Sequence, residues 1–406
     1  MADNAHARAA AFLSLIENES APYFFWRSPE DDFLMAAGIR AVTEPADTRD
    51  WRSWARSSRA ERQDVPVLAI VAFSPDERST TDWKEFPIAR FYQPDTVFRD
   101  GPDGIRTWGS GAQAACRYGA GIASEQQQSH ERDDDGPNKV QVMDWGVDAY
   151  RQRVEQALPY LRDGILEKVV LSRRIAVRCS TPFRLIHILV AMQSQPHAFT
   201  LCYSPDGERF FLSATPERLG RITDAGFETV ALAGTKLRAM MAAVENGGLM
   251  DDHKERIEHA YVVDMLRDAV STFASGITVA TPEVLELPHV THMQTRISGI
   301  MSPHRDMRDV IATLHPTPAV AGTPRHSAHE MIASLEPFER GLYSGCVGWF
   351  MQGGEGDAAV TIRSALVHGN DASIWAGAGI VRDSIAEAEE RETRAKLRTM
   401  LDVLSA

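Results

Sequence analysis

Cysteine is scarce in this chain of 406 residues. The four cysteines, Cys116, Cys179, Cys202 and Cys346, lie far apart, and no two of them form a Cys-x-x-Cys pair. A structural zinc site and a disulfide framework both need closely organised cysteines, so we expect neither. Free thiols are typical of a cytoplasmic protein, and we expect this location.

Long apolar runs and an excess of basic residues are also lacking. No stretch approaches the roughly 18 uninterrupted apolar residues of a membrane span, and the first residues lack the basic region and apolar core of a secretion signal. With 43 basic and 56 acidic residues, the formal net charge is -13, which argues against nucleic acid as a partner. A small anionic substrate stays open, because local charges at a site can oppose the net charge.

The chain does have the material for a large core, since 44% of its residues are hydrophobic. Helical periodicity is found over Ala5–Glu17, Val147–Arg162, Asp251–Phe273 and Ile385–Leu404. β-Rich segments follow one another in pairs more often than they alternate with helices, which favours an antiparallel α+β fold over a doubly wound α/β fold. Residues 121–140 are polar and charged, and we expect an exposed loop there, although a partly disordered connection fits the same composition.

Two of these helices place carboxylates among their apolar residues. In the helix predicted over Asp251–Phe273, Glu255 and Glu258 lie on the same side as Val262. In the C-terminal helix, Glu389 and Glu392 lie on one face. Carboxylates on an inward face are costly without a partner. Pairing with lysine or arginine, or a solvated helix with i,i+4 ion pairs, would account for each helix alone. The two helices together also suit Mg²⁺, which takes a few carboxylates and completes its shell with water and substrate oxygens.

Other candidates lie at or near strand ends. Lys168 and Glu217 are ordinary strand-end charges or, if they face one cavity, a base and an acid. Arg363 lies in a predicted strand segment that is otherwise apolar. It is either part of an ion pair in the core or binds a substrate carboxylate through two hydrogen bonds of its guanidinium. Gly377 and Gly379 belong either to a tight turn or to a nest of backbone N–H groups that binds a carboxylate.

At these motifs the chain resembles the chorismate-utilising enzymes, which include isochorismate synthases, salicylate synthases and the synthase subunits for anthranilate and aminodeoxychorismate. The matching segments occur in family order over residues 145–405. They read EKVVLSRR, SATPERL, ALAGT, ERIEHAYVVDMLR, VTHMQT, LHPTPAVAGTP, ERGLYSGCVGW, TIRSAL, and AGAGIV followed by EAEERETRAKL. Residues 1–120 match loosely, through FFWRSPEDDFLMAAGI. The resemblance implies one α+β domain over 1–406, with two packed antiparallel sheets and helices outside.

The resemblance also implies a metal site and a carboxylate site. Glu258 and Glu392 would ligate Mg²⁺, with Glu255 and Glu389 close by or acting through water. The metal would bind the ring carboxylate of chorismate. The backbone N–H groups of Gly377 and Gly379 would contact the same carboxylate.

The remaining roles implied by the resemblance concern the rest of the substrate. Arg363 and Tyr343 would hold the enolpyruvyl carboxylate, and His292 would line the ring pocket. Lys168 would activate water to attack C2 of the ring, and Glu217 would protonate the departing C4 hydroxyl. Thr235 and Ala319 would be further substrate-binding residues.

The branches of the family differ in the nucleophile that attacks the ring of chorismate and in whether pyruvate is eliminated from the product. Lysine-nucleophile aminodeoxychorismate synthases carry a lysine before the glycine of PIKGT, whereas Ala233 precedes Gly234 here. No glutaminase-like cysteine is apparent, so we expect water as nucleophile and no glutaminase subunit. Salicylate synthases resemble LHPTPAVAG but carry threonine where this chain has Ala319. The segment Lys236–Leu237 departs from the family's small or arginine-rich residues, which leaves the local geometry at Thr235 open.

The resemblance therefore implies an isochorismate synthase of the siderophore (2,3-dihydroxybenzoate) type, and we expect it to be a monomer. A menaquinone-branch isochorismate synthase, a salicylate synthase and an ammonia-using synthase are the alternatives of the same fold. A catalytically inactive chorismate-binding protein is the alternative of another class. The presence of Lys168, Glu217, Glu258 and Glu392 argues against it.

Overall fold

A computed structural model describes residues 2–74, 82–109, 140–238 and 248–406, without the side chains of residues 2, 3 and 254. The predicted exposed loop at 121–140 lies outside the described residues, except for its last residue, which begins a strand. Within the described ranges, no helix is long and apolar enough to cross a membrane.

The helices agree closely with the periodicity of the sequence, because their apolar residues recur at the spacing that places them on one face. They are α1 (Ala2–Asn18), α2 (Trp51–Ser57), α3 (Val147–Arg162), α4 (Leu185–Gln193), α5 (His253–Val270), α6 (Met307–Leu314), α7 (Arg325–Leu335) and α8 (Ala386–Leu404). Short 3₁₀ turns precede α2 at Thr48–Asp50 and α5 at Leu249–Asp251.

The strands are numbered in chain order and pair only with antiparallel neighbours in the described residues. Those of the first half are β1 (Tyr23–Arg27), β2 (Phe33–Ala37), β3 (Ala41–Thr43), β4 (Val67–Val71), β5 (Ala89–Gln93), β6 (Thr96–Gly101), β7 (Gly104–Trp108), β8 (Val140–Asp144), β9 (Lys168–Cys179) and β10 (Phe199–Ser204). The others are β11 (Arg209–Thr215), β12 (Arg218–Thr223), β13 (Gly226–Leu237), β14 (Ala274–Val279), β15 (Glu283–Glu286), β16 (Val290–Met301), β17 (Gly322–Thr323), β18 (Cys346–Phe350), β19 (Gly356–Val360), β20 (Ser364–His368) and β21 (Asp371–Ile380).

Two sheets are formed in the described part of the chain. One follows the order β17-β9-β21-β20-β11-β10-β1-β2-β6-β7, with β8 also on β9. The other follows β14-β16-β13-β12-β19-β18-β4-β5-β3, with β15 also on β16. Strands from the first 110 residues thus extend sheets whose other strands come from the second half. This interleaving favours one domain over two, and the single-domain organisation stays a prediction.

The sheets pack face to face, and helices cover their outer faces. Strand β1 illustrates this arrangement, because its side chains alternate between two cores. Phe24 and Trp26 join a cluster with side chains of the second sheet, such as Leu68. Tyr23 and Phe25 join a cluster with residues of α1, α4 and α8. The predicted α+β fold, with two packed antiparallel sheets and helices outside, is confirmed.

Two local expectations differ from the structure. Ile257 and Tyr261 are 44% and 43% exposed on α5, so only part of the apolar pattern of this helix faces the core. Arg363 does not lie inside a strand, because β19 ends at Val360 and β20 begins at Ser364. Its backbone has a φ of 49°, a conformation that breaks the pleat and that L residues other than Asn and Asp rarely adopt.

Candidate active site

A cavity opens where the last residues of β21 extend beyond the end of β20. It encloses about 580 Å³ of empty space, part of it open to solvent. Its lining includes ten of the thirteen residues predicted for the site: Lys168, Glu217, Thr235, Glu258, His292, Ala319, Tyr343, Arg363, Gly377 and Gly379. The three others are Glu255, Glu389 and Glu392, which lie outside the lining.

Lys168 and Glu258 form an ion pair at one end of the cavity. Lys168 is the first residue of β9 and Glu258 lies in the second turn of α5, and the Nζ and Oε1 atoms are 2.7 Å apart. The two side chains are only 3% and 12% exposed. Gly379 makes room for the pair, since a Cβ atom at this position would lie 2.6 Å from Glu258 Oε1 and from Lys168 Cε.

A second lysine–glutamate pair joins α8 to the cavity. Lys396, which lines the cavity, donates to Glu392 Oε1 at 2.6 Å and to the carbonyl oxygen of Gly377 at 3.0 Å. Glu392 is therefore next to the cavity wall rather than part of it. The ammonium group of Lys396 lies between the carboxylate and the glycine backbone.

The two other predicted carboxylates lie deeper in the same helices. Glu255 is 8% exposed and accepts a hydrogen bond from the backbone N–H of Thr235 at 2.7 Å. Glu389 is 1% exposed. Burial raises the pKa of the Tyr150 phenol, and the negative charges of Glu389 and Glu392 raise it further. Glu255 and Glu389 therefore do not line the cavity.

The donors that could hold a metal ion here are carboxylate oxygens. In the described ranges, no three His, Cys, Asp or Glu side chains lie close enough together to form a metal centre. Glu258 and Glu392 are instead neutralised by Lys168 and Lys396. An oxygen-only set of one or two carboxylates fits Mg²⁺, which keeps water and substrate oxygens in its shell, and does not suit a softer metal.

Glu217 is the buried acid of the cavity. It lies between β11 and β12 and is 4% exposed. Burial raises the pKa of its carboxyl to about 7, although the hydroxyl of Thr317, which donates to Oε1 at 3.2 Å, and the positive charges of Lys168, Lys396 and Arg363 lower it. A carboxyl in this state is partly protonated at neutral pH and can donate a proton.

Arg363 is a buried cation without a carboxylate partner in the described part of the chain. It is 5% exposed, and burial lowers the pKa of its guanidinium to about 10. Its side chain donates to Nε2 of His292 at 3.0 Å, so that Nε2 must be an acceptor and Nδ1 carries the proton. The Nδ1 atom lies 2.9 Å from the hydroxyl oxygen of Thr235. Burial, and then the charge of Arg363, lower the pKa of His292 well below its usual value, so the imidazole is neutral.

Tyr343 lies beside Gly377 at the wall of the cavity. Its hydroxyl group and that of Ser172 are 3.1 Å apart. A Cβ atom at Gly377 would lie 2.9 Å from Ser172 Oγ and 3.0 Å from Tyr343 Oη. Glycine is therefore required here for the close approach of β21 to both hydroxyl groups.

The strand register directs the backbone N–H and C=O groups of Gly377 and Gly379 away from β9. Gly377 is paired with Ser172, and Gly379 with Val170. The N–H groups of Ser172 and Val170 donate away from β21, to Glu336 Oε1 at 2.7 Å and to the carbonyl of Ala321 at 2.9 Å. In an antiparallel pair, directly opposite residues either exchange both backbone hydrogen bonds or direct their N–H and C=O groups away from each other. The N–H groups of Gly377 and Gly379 therefore also point away from β9.

On the other side of β21, pairing with β20 ends at Trp375. The N–H groups of Gly377 and Gly379 thus have no strand partner in the described residues, and both glycines line the cavity. These N–H groups lie at a strand end, as expected for the predicted carboxylate contact, which stays a prediction.

The sequence did not single out three side chains of the site. Lys396, Thr317 and Ser172 lie inside the motifs EAEERETRAKL, LHPTPAVAGTP and EKVVLSRR, where they are not distinguished from their neighbours. Lys396, four residues after Glu392, carried a usable signal, because i,i+4 partners share a helix face. The partners of Thr317 and Ser172 are 100 and 171 residues away in the chain, so no local pattern identifies them.

The family model described as "Chorismate binding enzyme" matches residues 3–405. The chain belongs to this family. The match covers the N-terminal third as well as the motif-bearing core, so the family assignment extends over almost the whole chain.

Relatives of this chorismate binding enzyme carry more specific names. A salicylate biosynthesis isochorismate synthase from Pseudomonas aeruginosa is 30% identical over 413 residues, which are 96% of this chain and 86% of the relative. A vibriobactin-specific isochorismate synthase from Vibrio cholerae is 35% identical over 258 residues, 62% of this chain and 65% of the relative. The second match thus spans slightly less than two thirds of the relative's length.

A solved structure agrees in fold. The structure of MenF, the menaquinone-specific isochorismate synthase from Escherichia coli, superimposes with a TM-score of 0.75 at 26% identity. The match covers 97% of this chain and 90% of that one. The arrangement of the two sheets is therefore shared across the chain.

Proposed function

We propose that this protein is an isochorismate synthase, which adds water at C2 of chorismate and removes the hydroxyl at C4. The observation that carries the proposal is one small cavity with three complementary groups. These are the lysine Lys168, the protonatable acid Glu217 and the buried cation Arg363, which lacks a carboxylate partner in the described ranges. The three relatives described above are each named as an isochorismate synthase, which agrees with this reaction.

The substrate carries two carboxylates, and the cavity offers two places for them. Arg363 and the hydroxyl of Tyr343 suit the enolpyruvyl carboxylate, because a buried guanidinium gains most from a charge-assisted hydrogen bond. The N–H groups of Gly377 and Gly379 suit the ring carboxylate. His292, held neutral beside Arg363, lines the ring pocket without competing for the anion.

The proposed reaction balances within the site. Water forms the new C2–O bond while Lys168 Nζ accepts a proton from it. The ring double bonds shift, the C4–O bond breaks, and Glu217 gives its proton to the departing hydroxyl, which leaves as water. Hydroxide is a poor leaving group, so the acid at Glu217 is required. Proton transfer from Lys168 through solvent to Glu217 restores the site.

Mg²⁺ is proposed as the cofactor, held by Glu258 and Glu392. When bound, the cation would offset the negative charges of these glutamates and of the ring carboxylate, and it would compete with Lys168 for the Glu258 carboxylate. Excess chelator should abolish turnover, and Glu392→Gln should raise the Mg²⁺ concentration needed for half-maximal rate. Magnesium titration calorimetry gives a second readout. Full activity in chelator would contradict the assignment.

Water is the proposed nucleophile, because no lysine precedes Gly234 and no glutaminase partner is expected. The siderophore type is proposed from the C-terminal segment RETRAKLRTMLDVL, with menaquinone and salicylate pathways as alternatives. The relatives named above include all three pathway names, so the branch rests on sequence alone. We also propose a monomeric, cytoplasmic enzyme, which sedimentation and fractionation would test.

The deciding experiment is product analysis. The purified protein is incubated with chorismate and Mg²⁺, with and without ammonium, and the products are separated by chromatography. Isochorismate in both arms is expected. Anthranilate or aminodeoxychorismate formed only with ammonium would favour an ammonia-using synthase, stoichiometric salicylate and pyruvate a salicylate synthase, and binding without turnover an inactive chorismate-binding protein.

A further inference from the structure

The outer edge of β9 is incompletely covered by β17. Strand β17 has two residues, which pair with Lys168 and Val169. Beyond them, the backbone groups of Val170 and Ser172 that point away from β21 still need hydrogen-bond partners, because buried backbone groups are costly when unpaired. Val170 N–H finds the carbonyl of Ala321 at 2.9 Å.

An ion pair supplies two of the other partners. Glu336 Oε1 accepts from Ser172 N–H at 2.7 Å, and an Arg340 guanidinium nitrogen donates to the carbonyl of Val170 at 2.7 Å. The two side chains also bind each other in a fork, with N–O distances of 2.6 and 2.8 Å. Each side chain is only 2% exposed. The pair thus takes the place of a neighbouring strand along β9.

The same arginine reaches the segment that carries Thr317. Its other terminal nitrogen donates to the carbonyl of Val320 at 2.8 Å. Val320 and Ala321 in turn donate their N–H groups to the carbonyl of Thr317, at 3.1 and 3.0 Å. Thr317 then contacts Glu217 through its hydroxyl. One guanidinium therefore connects the strand of the proposed base to the turn beside the proposed acid.

We propose that the Glu336–Arg340 pair is a positioning element, which fixes β9 and the 317–321 turn relative to each other and so sets the geometry between Lys168 and Glu217. The proposal rests on the function proposed above. A buried ion pair is weak as a source of stability, because desolvation offsets much of the attraction. Its hydrogen bonds to two separate segments give it a positional role instead. Neither residue lines the site cavity, so neither contacts the substrate.

Arg340→Lys is the informative variant, with Arg99→Lys as its matched control. Lysine keeps the charge but has one nitrogen, which cannot reproduce four hydrogen bonds made from three nitrogens of a planar fork. Arg99 is also buried and forked, with Asp32 at 2.9 Å and Glu355 at 2.6 Å, but lies away from the cavity. Both variants should lose stability. Only Arg340→Lys should lower kcat, on the order of 10- to 100-fold with a small change in KM, since misplacement of reacting groups affects the chemical step.

The pH profile separates positioning from general damage. Thr317 lowers the pKa of Glu217, which is also faced by Lys168, Lys396 and Arg363. A displaced 317–321 turn weakens this hydrogen bond, so Arg340→Lys should shift the alkaline decline of kcat upward, in the same direction as Thr317→Val. Arg99→Lys should keep the wild-type profile. An unshifted profile with normal kcat in Arg340→Lys would overturn the proposal while leaving the proposed function intact.

Hydrogen–deuterium exchange tests the same proposal without turnover. Exchange should increase at residues 168–172 and 317–321 in Arg340→Lys and at neither segment in Arg99→Lys. Unchanged exchange at both segments in Arg340→Lys would contradict the positioning role, whatever product the wild type forms. Failure of the wild type to make isochorismate would overturn only the proposed function.

Discussion

Two buried arginines of this protein have opposite surroundings. Arg99, in strand β6, forms two hydrogen bonds with Asp32 and an ion pair with Glu355, and its guanidinium lies 4.0 Å from the centre of the Trp349 ring. Arg363, at the cavity, has a neutral histidine as its hydrogen-bond partner and no carboxylate within ion-pair distance in the described ranges. A guanidinium that is buried with its carboxylate partners is already neutralised, and its removal leaves buried charges unpaired, whereas one buried without a carboxylate is suited to bind one.

The largest expected effect comes from the acid and the base. Lys168→Gln and Glu217→Gln should each lower kcat by about 10²–10⁴-fold, the usual scale for positioned proton transfer. Chorismate binding, measured by calorimetry, should largely survive in both. Asp32→Asn, in the fully paired cluster, should lower stability and leave kcat close to that of the wild type. Near-normal turnover of either cavity variant would assign its role to another residue.

These two residues also show how far the sequence can predict the site. Lys168 and Glu217 were identified because their motifs resemble those of the family, and the structure brings them to one cavity although 49 positions separate them. The partner of Lys168 could not be predicted, since Glu258 is 90 residues away. The meeting of β9 and α5 depends on tertiary packing, since α5 packs on β13 of the other sheet.

The fold was predictable to a similar degree. Helix bounds follow from apolar periodicity, and α3 agrees with it at both ends. The break at Arg363 could not be predicted, because a single arginine within the largely apolar segment VTIRSALV looks like part of a strand. Its positive φ depends on tertiary contacts, such as the hydrogen bond from Ala214 N–H to the Arg363 carbonyl. A conformation of this kind persists only when the surrounding structure fixes it.

A substitution that fills the cavity should rank next. In Gly379→Ala, the added Cβ would lie 2.6 Å from Glu258 Oε1 and Lys168 Cε, so the ion pair has to move. We expect a loss in kcat/KM on the order of 10²-fold, since small displacements of reacting groups are costly. Gly354→Ala is the control, because its nearest neighbour is a side-chain atom at 3.4 Å. Equal activity of the two variants would contradict the close packing at Gly379.

The two arginines can be compared directly. Arg363→Gln should raise KM for chorismate about 10- to 100-fold, as expected for loss of a charge-assisted hydrogen bond, with little change in the free energy of unfolding. Arg99→Gln should leave KM unchanged and cost about 3–5 kcal/mol of stability, because it leaves buried carboxylates unpaired. Urea unfolding and steady-state kinetics measure both. A large stability loss in Arg363→Gln would remove the distinction between the two sites.

The pH dependence should differ between the regions in a defined direction. Burial raises the pKa of Glu217 to about 7, and the proposed acid must be protonated to act. The kcat of the wild type should therefore decline as pH rises through about 7, approaching tenfold per pH unit above it. In Asp32→Asn the decline should be unchanged. A constant kcat from pH 6 to pH 9 would argue against Glu217 as the acid.

The smallest expected effect concerns Ala319. A threonine there would offer a hydroxyl worth on the order of 1 kcal/mol in a hydrogen bond, enough to bias a partition about fivefold. Ala319→Thr should therefore form at most a little more salicylate than the wild type, with isochorismate still the main product. Salicylate fluorescence and pyruvate release at neutral pH measure the partition. A complete switch to salicylate would show that this one residue controls pyruvate loss.

Isotope labelling of the solvent tests the central proposal, that water is the nucleophile at C2. The protein is incubated with chorismate and Mg²⁺ in water enriched in oxygen-18, and isochorismate is analysed by mass spectrometry at early times. Addition of water at C2 with loss of the C4 hydroxyl predicts a product carrying one oxygen-18 atom at C2. Isochorismate without the label would mean that the hydroxyl is transferred within the substrate, and would contradict the roles of Lys168 and Glu217.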